Sequence, residues 1–184
     1  MELKHVCKSY AGKEVLRDVS LIFPEGEITC LFGPSGRGKT TVLRLLAGLE
    51  TADSGTVSGV GERRVSTVFQ EDRLLPLCTA EQNISIAAPY ADAAMWLNRM
   101  GLGEDGGKYP SQLSGGMCRR VALARALAYD GEVFLMDEPF KGLDRQTKGA
   151  VLKTVRRSLE GKTVLFITHD EEERDQLCDT SVLL

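Results

Sequence analysis

The apolar and polar positions of the first third of the chain predict strands separated by turns. Apolar-rich segments at residues 3–7, 15–23 and 27–32 are each bounded by turn residues. The third segment runs directly into a glycine-rich loop. Beyond that loop, apolar residues recur at the spacing of one helix face, namely Val42, Leu45, Leu46 and Leu49. The predicted local order is therefore strand, loop, helix.

The middle of the chain changes from a strand pattern to a helical one. Residues 65–69 predict one more strand, and residues 79 to about 100 show helical periodicity with an interruption at Pro89. A further helix is predicted to begin near Ser114. We therefore expect one domain over residues 1–184, with an α/β core at 1–70 and 130–184 and a helical subdomain at about 71–129.

The last third alternates between the two patterns again. It predicts strands at 133–136, 163–168 and 181–184, a helix at about 144–159, and a short acidic helix after His169. Strands that alternate with helices favour a mostly parallel sheet covered on both faces. The predicted fold class is α/β, with a mostly parallel central sheet, an N-terminal antiparallel β portion and an α-helical subdomain.

Composition narrows the function classes. The 184 residues are 42% apolar and 27% charged, which is typical of a globular domain and not of a disordered chain. A net charge of -3 gives no global basis for binding nucleic acid, so none is expected as a partner. No apolar run approaches the roughly 18–20 residues of a membrane span, and no secretory leader is evident at the start. We expect a cytosolic location, with the five cysteines reduced.

A phosphate-binding loop is the strongest motif. Residues 33–40 match the pattern GxxxxGK[ST] between a predicted strand and a predicted helix, as that motif requires. Glycines let successive backbone N–H groups face phosphate oxygens, and the helix N-terminus favours an anion there. Lys39 should reach the β- and γ-phosphates of ATP, and the Thr40 hydroxyl should ligate Mg²⁺. The motif predicts a P-loop NTPase.

Two adjacent acids end a predicted buried strand. Asp137 and Glu138 follow the apolar run 133–136. Adjacent carboxylates at the end of such a strand require a positive partner, because an unpaired buried charge is costly. Mg²⁺ bound to ATP fits that requirement. Asp137 is predicted to hold the metal and Glu138 to act as the general base toward water.

A third motif makes a family resemblance specific. Leu113-Ser114-Gly115-Gly116-Met117 resembles the signature motif of ATP-binding cassette (ABC) ATPases, with Met117 where that family usually has Gln. It stands between the phosphate loop and the acid pair, as it does in that family. The resemblance implies that the N–H groups of this turn hold the γ-phosphate of ATP bound by an opposite subunit. A homodimer, or a pair with a similar ABC subunit, is therefore expected.

The same resemblance assigns the remaining candidate residues. Tyr10 resembles the aromatic residue that stacks on adenine, Gln70 the glutamine near Mg²⁺, Asp144 the acidic residue of the D-loop, and His169 the switch histidine. The predicted catalytic residues are Glu138, His169, Gln70 and Lys39. The predicted ATP-binding residues are Tyr10, Gly33, Pro34, Ser35, Gly36, Arg37, Gly38, Lys39, Thr40 and Thr41. Contacts to ATP on the opposite subunit are assigned to Ser114, Gly115, Gly116, Met117 and Asp144, and Mg²⁺ contacts to Thr40, Gln70 and Asp137.

The resemblance also implies a biological role. An ABC transporter subunit would hydrolyse ATP at the cytoplasmic face of a membrane and power transport through separate integral membrane permease subunits. The segment 68–76 is similar to importer ATPases of the nitrate, sulfonate and taurine group. The chain is expected to end in its last core strand, and its helical subdomain to be short for the family. The alternatives are an ABC ATPase of DNA repair or translation, and a regulatory nucleotide-binding module without turnover.

Overall fold

The computed structural model describes residues 1–184. The strands are β1 (Glu2–Tyr10), β2 (Lys13–Ile22), β3 (Ile28–Phe32), β4 (Ser54–Ser58), β5 (Val65–Val68), β6 (Val133–Asp137), β7 (Thr163–Ile167) and β8 (Thr180–Leu183). The helices are α1 (Lys39–Leu46), α2 (Ala80–Ala87), α3 (Ala93–Arg99), α4 (Gly115–Tyr129), α5 (Arg145–Ser158) and α6 (Glu171–Leu177), with a 3₁₀ turn at Pro110–Gln112.

The strands form two sheets. β2, β1 and β4 make an antiparallel sheet in that order, and the second sheet has the order β5-β6-β7-β3-β8. In the second sheet β3 is parallel to both β7 and β8, and β6 is parallel to β7. Every residue of β6 and β7 is buried, which is the pattern of central parallel strands covered on both faces. The predicted fold class is confirmed.

One strand has no counterpart in the sequence prediction. β4 pairs with β1 at the edge of the antiparallel sheet, and four of its five residues are exposed. Its sequence, Ser-Gly-Thr-Val-Ser, has no apolar alternation, and none of its residues is buried. Pairing with β1 creates this strand, and the apolar pattern carries no trace of it.

Two compact units make up the chain. The first contains residues 1–67, 132–137 and 159–184, and the second contains residues 68–131 and 138–158. In the first unit, α1 packs against β4, β6 and β7. In the second, α2, α3 and α5 each pack against α4. The predicted helical segment 71–129 lies inside the second unit, which also contains residues 138–158. The division into an α/β core and a helical subdomain stays a prediction.

Side-chain caps define the helices of the second unit. Thr79 and Gln82 form a reciprocal capping box at the start of α2. α2 ends at Ala87, and α3 begins only after the Asp92 cap, so the interruption predicted at Pro89 separates two helices. None of the helices is both long enough and apolar enough to span a bilayer.

Candidate nucleotide site

The loop between β3 and α1 has the backbone that its glycines permit. Gly33, Gly36 and Gly38 all have positive φ angles. At Gly38, which precedes α1, a Cβ atom would lie 2.7 Å from Leu16 Cδ2 and 3.0 Å from Val15 Cγ1. Both the left-handed backbone and the close packing therefore require glycine at this position. The result is a tight loop that leads into the N-terminus of α1, where free backbone N–H groups attract anions.

Lys39 is the first residue of α1, and its side chain reaches back into this loop. It is only 6% exposed, and its Nζ atom donates to the carbonyl oxygens of Gly33 at 2.7 Å and Pro34 at 2.9 Å. Both carbonyls belong to the loop itself. A buried ammonium needs such acceptors, because an unsolvated charge is costly. The loop thus holds one positive charge among its own backbone groups.

Thr40 and Asp137 meet in the first unit. Thr40 Oγ1 donates to Asp137 Oδ2 at 2.6 Å, and Asp137, the last residue of β6, is 3% exposed. A hydroxyl and a carboxylate are the hard oxygen donors that Mg²⁺ prefers, and Mg²⁺ usually takes only one or two protein ligands. The chain has no cluster of three or more His, Cys, Asp or Glu side chains that could hold a metal ion. The donor set present therefore fits Mg²⁺ shared with a phosphate group.

His169 lies two residues after the end of β7. It lines a cavity of about 340 Å³ together with Gly33 and Pro34. The neighbouring Thr168 hydroxyl donates to the buried Glu173 at 2.5 Å, and Asp170 caps α6. The role expected for His169 from the sequence stays a prediction.

Tyr10, the predicted adenine contact, ends β1. Its hydroxyl oxygen is buried without a hydrogen-bond partner, and Lys8 Nζ lies 5.2 Å from the ring centroid. Thr41 lies in the first turn of α1 and is buried, whereas Ser35 and Arg37 are exposed in the loop.

The second unit brings Gln70 and Glu138 together. Glu138 has a φ angle of 47°, unusual for a residue with a side chain. Its Oε2 atom lies 3.5 Å from Gln70 Nε2 and 3.0 Å from Lys141 Nζ. Lys141 is absent from the sequence prediction. A lysine in a loop carries no pattern of its own, and only the strand-to-loop turn at Glu138 places it near the carboxylate.

The signature segment forms the start of α4. Ser114 caps this helix, with its Oγ atom accepting from Met117 N at 3.2 Å, and Gly115 is the first helical residue. A Cβ atom on Gly116 would lie 3.2 Å from Gly142 O, so glycine also serves packing within the chain. The turn presents the free N–H groups of a helix N-terminus.

Asp144, near the start of α5, accepts from Thr147 N at 3.0 Å. Hydrogen bonds from the Thr147 side chain and backbone keep the pKa of Asp144 below its ordinary value. In this chain Asp144 thus acts as a helix cap, alongside its predicted contact to ATP on an opposite subunit.

Two arginines of α4 hold the segment around Gln70, and neither is among the site residues predicted from the sequence. Arg119 donates to the carbonyl oxygens of Phe69, at 2.6 Å, and of Gln70. Arg125 donates to those of Asp72 at 3.1 Å and Arg73 at 3.0 Å. Backbone carbonyls leave no sequence signal, so this contact could not be predicted.

The fold and the loop together define a P-loop nucleotide-binding protein. The phosphate loop joins the central parallel strand β3 to the helix α1. Thr40 of that helix donates a hydrogen bond to Asp137 at the end of β6. The family model described as ABC transporter matches residues 16–141. The chain belongs to the ABC transporter family.

Relatives support this family assignment over the whole chain. The sulfate/thiosulfate import ATP-binding protein CysA of Ralstonia nicotianae is 39% identical, covering 100% of this chain and 56% of the relative. The aliphatic sulfonates import ATP-binding protein SsuB 2 of Agrobacterium fabrum is 40% identical, covering 100% of this chain and 75% of the relative. The chain thus spans little more than half the length of the CysA protein it matches.

Solved structures of ABC cassettes share the fold. The dimeric post-hydrolysis structure of the ATP-binding cassette MJ0796 bound to ADP and Pi has a TM-score of 0.88 at 29% identity, covering 100% of this chain and 93% of that one. The ATP-binding subunit of an ABC transporter has a TM-score of 0.88 at 26% identity, covering 100% and 85%.

Proposed function

We propose that this chain binds ATP and hydrolyses it to ADP and phosphate as the ATP-binding subunit of an ABC importer. The observation that carries the proposal is the contact between Thr40 and Asp137, 2.6 Å between oxygens, beside the loop that contains Lys39. Ammonium, hydroxyl and carboxylate are the three groups with which a P-loop protein holds a nucleotide and its metal.

The phosphate loop neutralises and positions the phosphates. Phosphoryl transfer needs placement and charge compensation more than covalent chemistry by the protein. Lys39 leaves the carbonyl oxygens of Gly33 and Pro34 for the β- and γ-phosphates, a more strongly charged acceptor. The N–H groups at the start of α1 supply further donors, and Tyr10 offers a ring for the adenine base.

Thr40 and Asp137 are the side chains that would hold Mg²⁺, with Gln70 as a further oxygen donor. When bound, Mg²⁺ neutralises charge on the β- and γ-phosphate oxygens. Asp137 supplies a carboxylate that is already buried and oriented by the Thr40 hydroxyl, so little reorganisation is needed.

Glu138 serves as the general base. Its carboxylate accepts from Gln70 and pairs with Lys141, so its position is set by two neighbours. A carboxylate held in this way orients water and accepts its proton during attack on the γ-phosphate. His169 contributes a hydrogen bond to the same phosphate.

A second subunit completes the site. The free N–H groups of Ser114, Gly115 and Gly116, with Met117 and Asp144 nearby, contact the γ-phosphate bound by an opposite chain. ATP then favours the closed pair, and hydrolysis releases it, which converts nucleotide binding into motion. The dimeric ABC cassettes among the structural neighbours support pairing of this kind.

The work driven by this motion is solute import. The relatives named as import ATP-binding proteins support a role at the cytoplasmic face of a membrane, together with separate permease subunits. The helical unit that carries Gln70 is the docking surface we propose for the permease.

Two experiments test the two parts of the proposal. Phosphate release by the purified chain is measured with and without Mg²⁺, and again with DNA or ribosomes added. Separately, the chain is crosslinked in cells and isolated from their membranes with its partners. Mg²⁺-dependent turnover and an integral membrane partner support the proposal. Turnover that is stimulated by DNA or ribosomes, with no membrane partner, contradicts the transport role in favour of DNA repair or translation. Binding of ATP without turnover indicates a regulatory module.

A further inference from the structure

The segment Phe69–Arg73 is held almost entirely by one helix. Four of its five carbonyl oxygens accept from guanidinium groups of α4: those of Phe69 and Gln70 from Arg119, and those of Asp72 and Arg73 from Arg125. α4 is the helix that Ser114 caps. The segment that carries Gln70 and the turn that carries the signature glycines are therefore attached to the same helix.

Arg119 is the more central of the two arginines. Arg119 is 5% exposed. Its Nε atom lies 3.0 Å from Asp72 Oδ1, and the two form an ion pair without the alignment of a hydrogen bond. One planar guanidinium thus meets three residues of the segment, which a lysine ammonium could not reproduce. Burial raises the pKa of the Asp72 carboxyl above its ordinary value, although Arg119 and Arg125 both oppose the rise.

The contacts form a continuous path. Ser114 and Arg119 are five positions apart on α4, Arg119 binds the backbone of Gln70, and the Gln70 side chain reaches Glu138 at 3.5 Å. Arg119 is the fifth residue of α4, so a rigid-body movement of this helix would move Arg119 and the signature turn together. The signature turn and the backbone of Gln70 are therefore connected through a single helix.

We propose that Arg119 is a positioning residue that couples seating of the signature turn on an opposite subunit's nucleotide to the placement of Gln70 beside Glu138. This inference rests on the proposed ATPase function and deepens it. The Arg119 guanidinium is directed at the Phe69 and Gln70 carbonyl oxygens. It acts through the Gln70 backbone, and its loss leaves nucleotide binding at the phosphate loop intact.

Arg120 provides a matched control on the same helix. Its Nη1 atom donates to the carbonyl oxygens of Met100 at 2.8 Å and Gly101 at 3.0 Å, at the end of α3. Its remaining contact, Nε to Gly116 O at 3.4 Å, is a long one within α4. R120M removes an arginine with a similar number of carbonyl partners, none of them in the segment Phe69–Arg73.

The test compares R119M, R119K and R120M in steady-state ATP hydrolysis, with the melting temperature and the affinity for a fluorescent ATP analogue measured in parallel. We expect R119M to lower kcat about tenfold or more through misplacement of Gln70, with KM and nucleotide affinity changed less than about threefold. R120M should lower the melting temperature comparably and change kcat less than about threefold. R119K keeps the buried charge and should recover part of kcat. If R119M does not fold, R119K still tests the role of Arg119.

The outcomes separate the two hypotheses. Equal kcat losses in R119M and R120M, or wild-type kcat in R119M or R119K, overturn the coupling and leave the proposed ATPase function standing. A wild-type chain that binds ATP analogue but hydrolyses no ATP with Mg²⁺ overturns the proposed function, and the coupling with it.

Discussion

The Thr40 hydroxyl donates a hydrogen bond of 2.6 Å to Asp137 although 97 positions separate the two residues. Thr40 lies in the first turn of α1, and Asp137 is the last residue of β6, against which α1 packs. Packing of α1 on β6 within the first unit brings the two residues together. This contact joins the phosphate loop to the acid pair that the sequence suggested separately.

Removal of the Thr40 hydroxyl should impair metal use. T40V deprives the buried Asp137 of this donor, so we expect a loss of about 1–3 kcal/mol in the free energy of unfolding. The Mg²⁺ concentration for half-maximal ATP hydrolysis should rise, because one oxygen donor is missing. T40S, which keeps the hydroxyl, is the control. Unaltered Mg²⁺ dependence in T40V would exclude Thr40 as a ligand.

Replacement of Lys39 should weaken nucleotide binding. Hydrogen bonds to charged groups contribute about 1.5–3 kcal/mol each, so K39M should raise the Kd for an ATP analogue about 10- to 100-fold. The affinity is measured by fluorescence titration. Circular dichroism establishes that the variant is folded, since Lys39 also binds the Gly33 and Pro34 carbonyls. An unchanged Kd would contradict the role of Lys39.

The phosphate loop could be predicted because its chemistry is local. Gly33, Gly38 and Lys39 stand within one short segment, and the backbone they require is dictated by glycine and by the helix that follows. The parallel strands were predictable for a similar reason. Burial on both faces makes each of them a continuous apolar run.

The parts that escaped prediction depend on contacts distant in sequence. Arg119 binds backbone carbonyls about 50 positions away, and any residue could supply those carbonyls. Lys141 approaches Glu138 because of a left-handed backbone at Glu138 that no residue type signals. The roles given to the site residues, Tyr10 and His169 among them, remain predictions.

Glu138 should be required for turnover but not for binding. E138Q keeps the size of the side chain and removes its ability to accept a proton, so kcat should fall about 100- to 10,000-fold. ATP should remain bound, and the closed pair should accumulate because hydrolysis no longer releases it. Phosphate release and size-exclusion chromatography with ATP measure the two effects. Normal turnover in E138Q would reject Glu138 as the base.

Met117 should limit the stability of the ATP-bound pair. It stands where the family usually has Gln, at the first turn of α4, and an apolar side chain offers no hydrogen bond to an opposite subunit's nucleotide. Gln and Met have similar helix propensities, so M117Q should leave the melting temperature of the monomer unchanged. One added hydrogen bond contributes about 0.5–1.5 kcal/mol, so M117Q should lower the Kd of ATP-dependent pairing about 2- to 10-fold. Sedimentation with ATP in the E138Q background measures that Kd, with M117L as the apolar control. Equal pairing by M117Q and M117L would show that the side chain at this position does not contact the nucleotide.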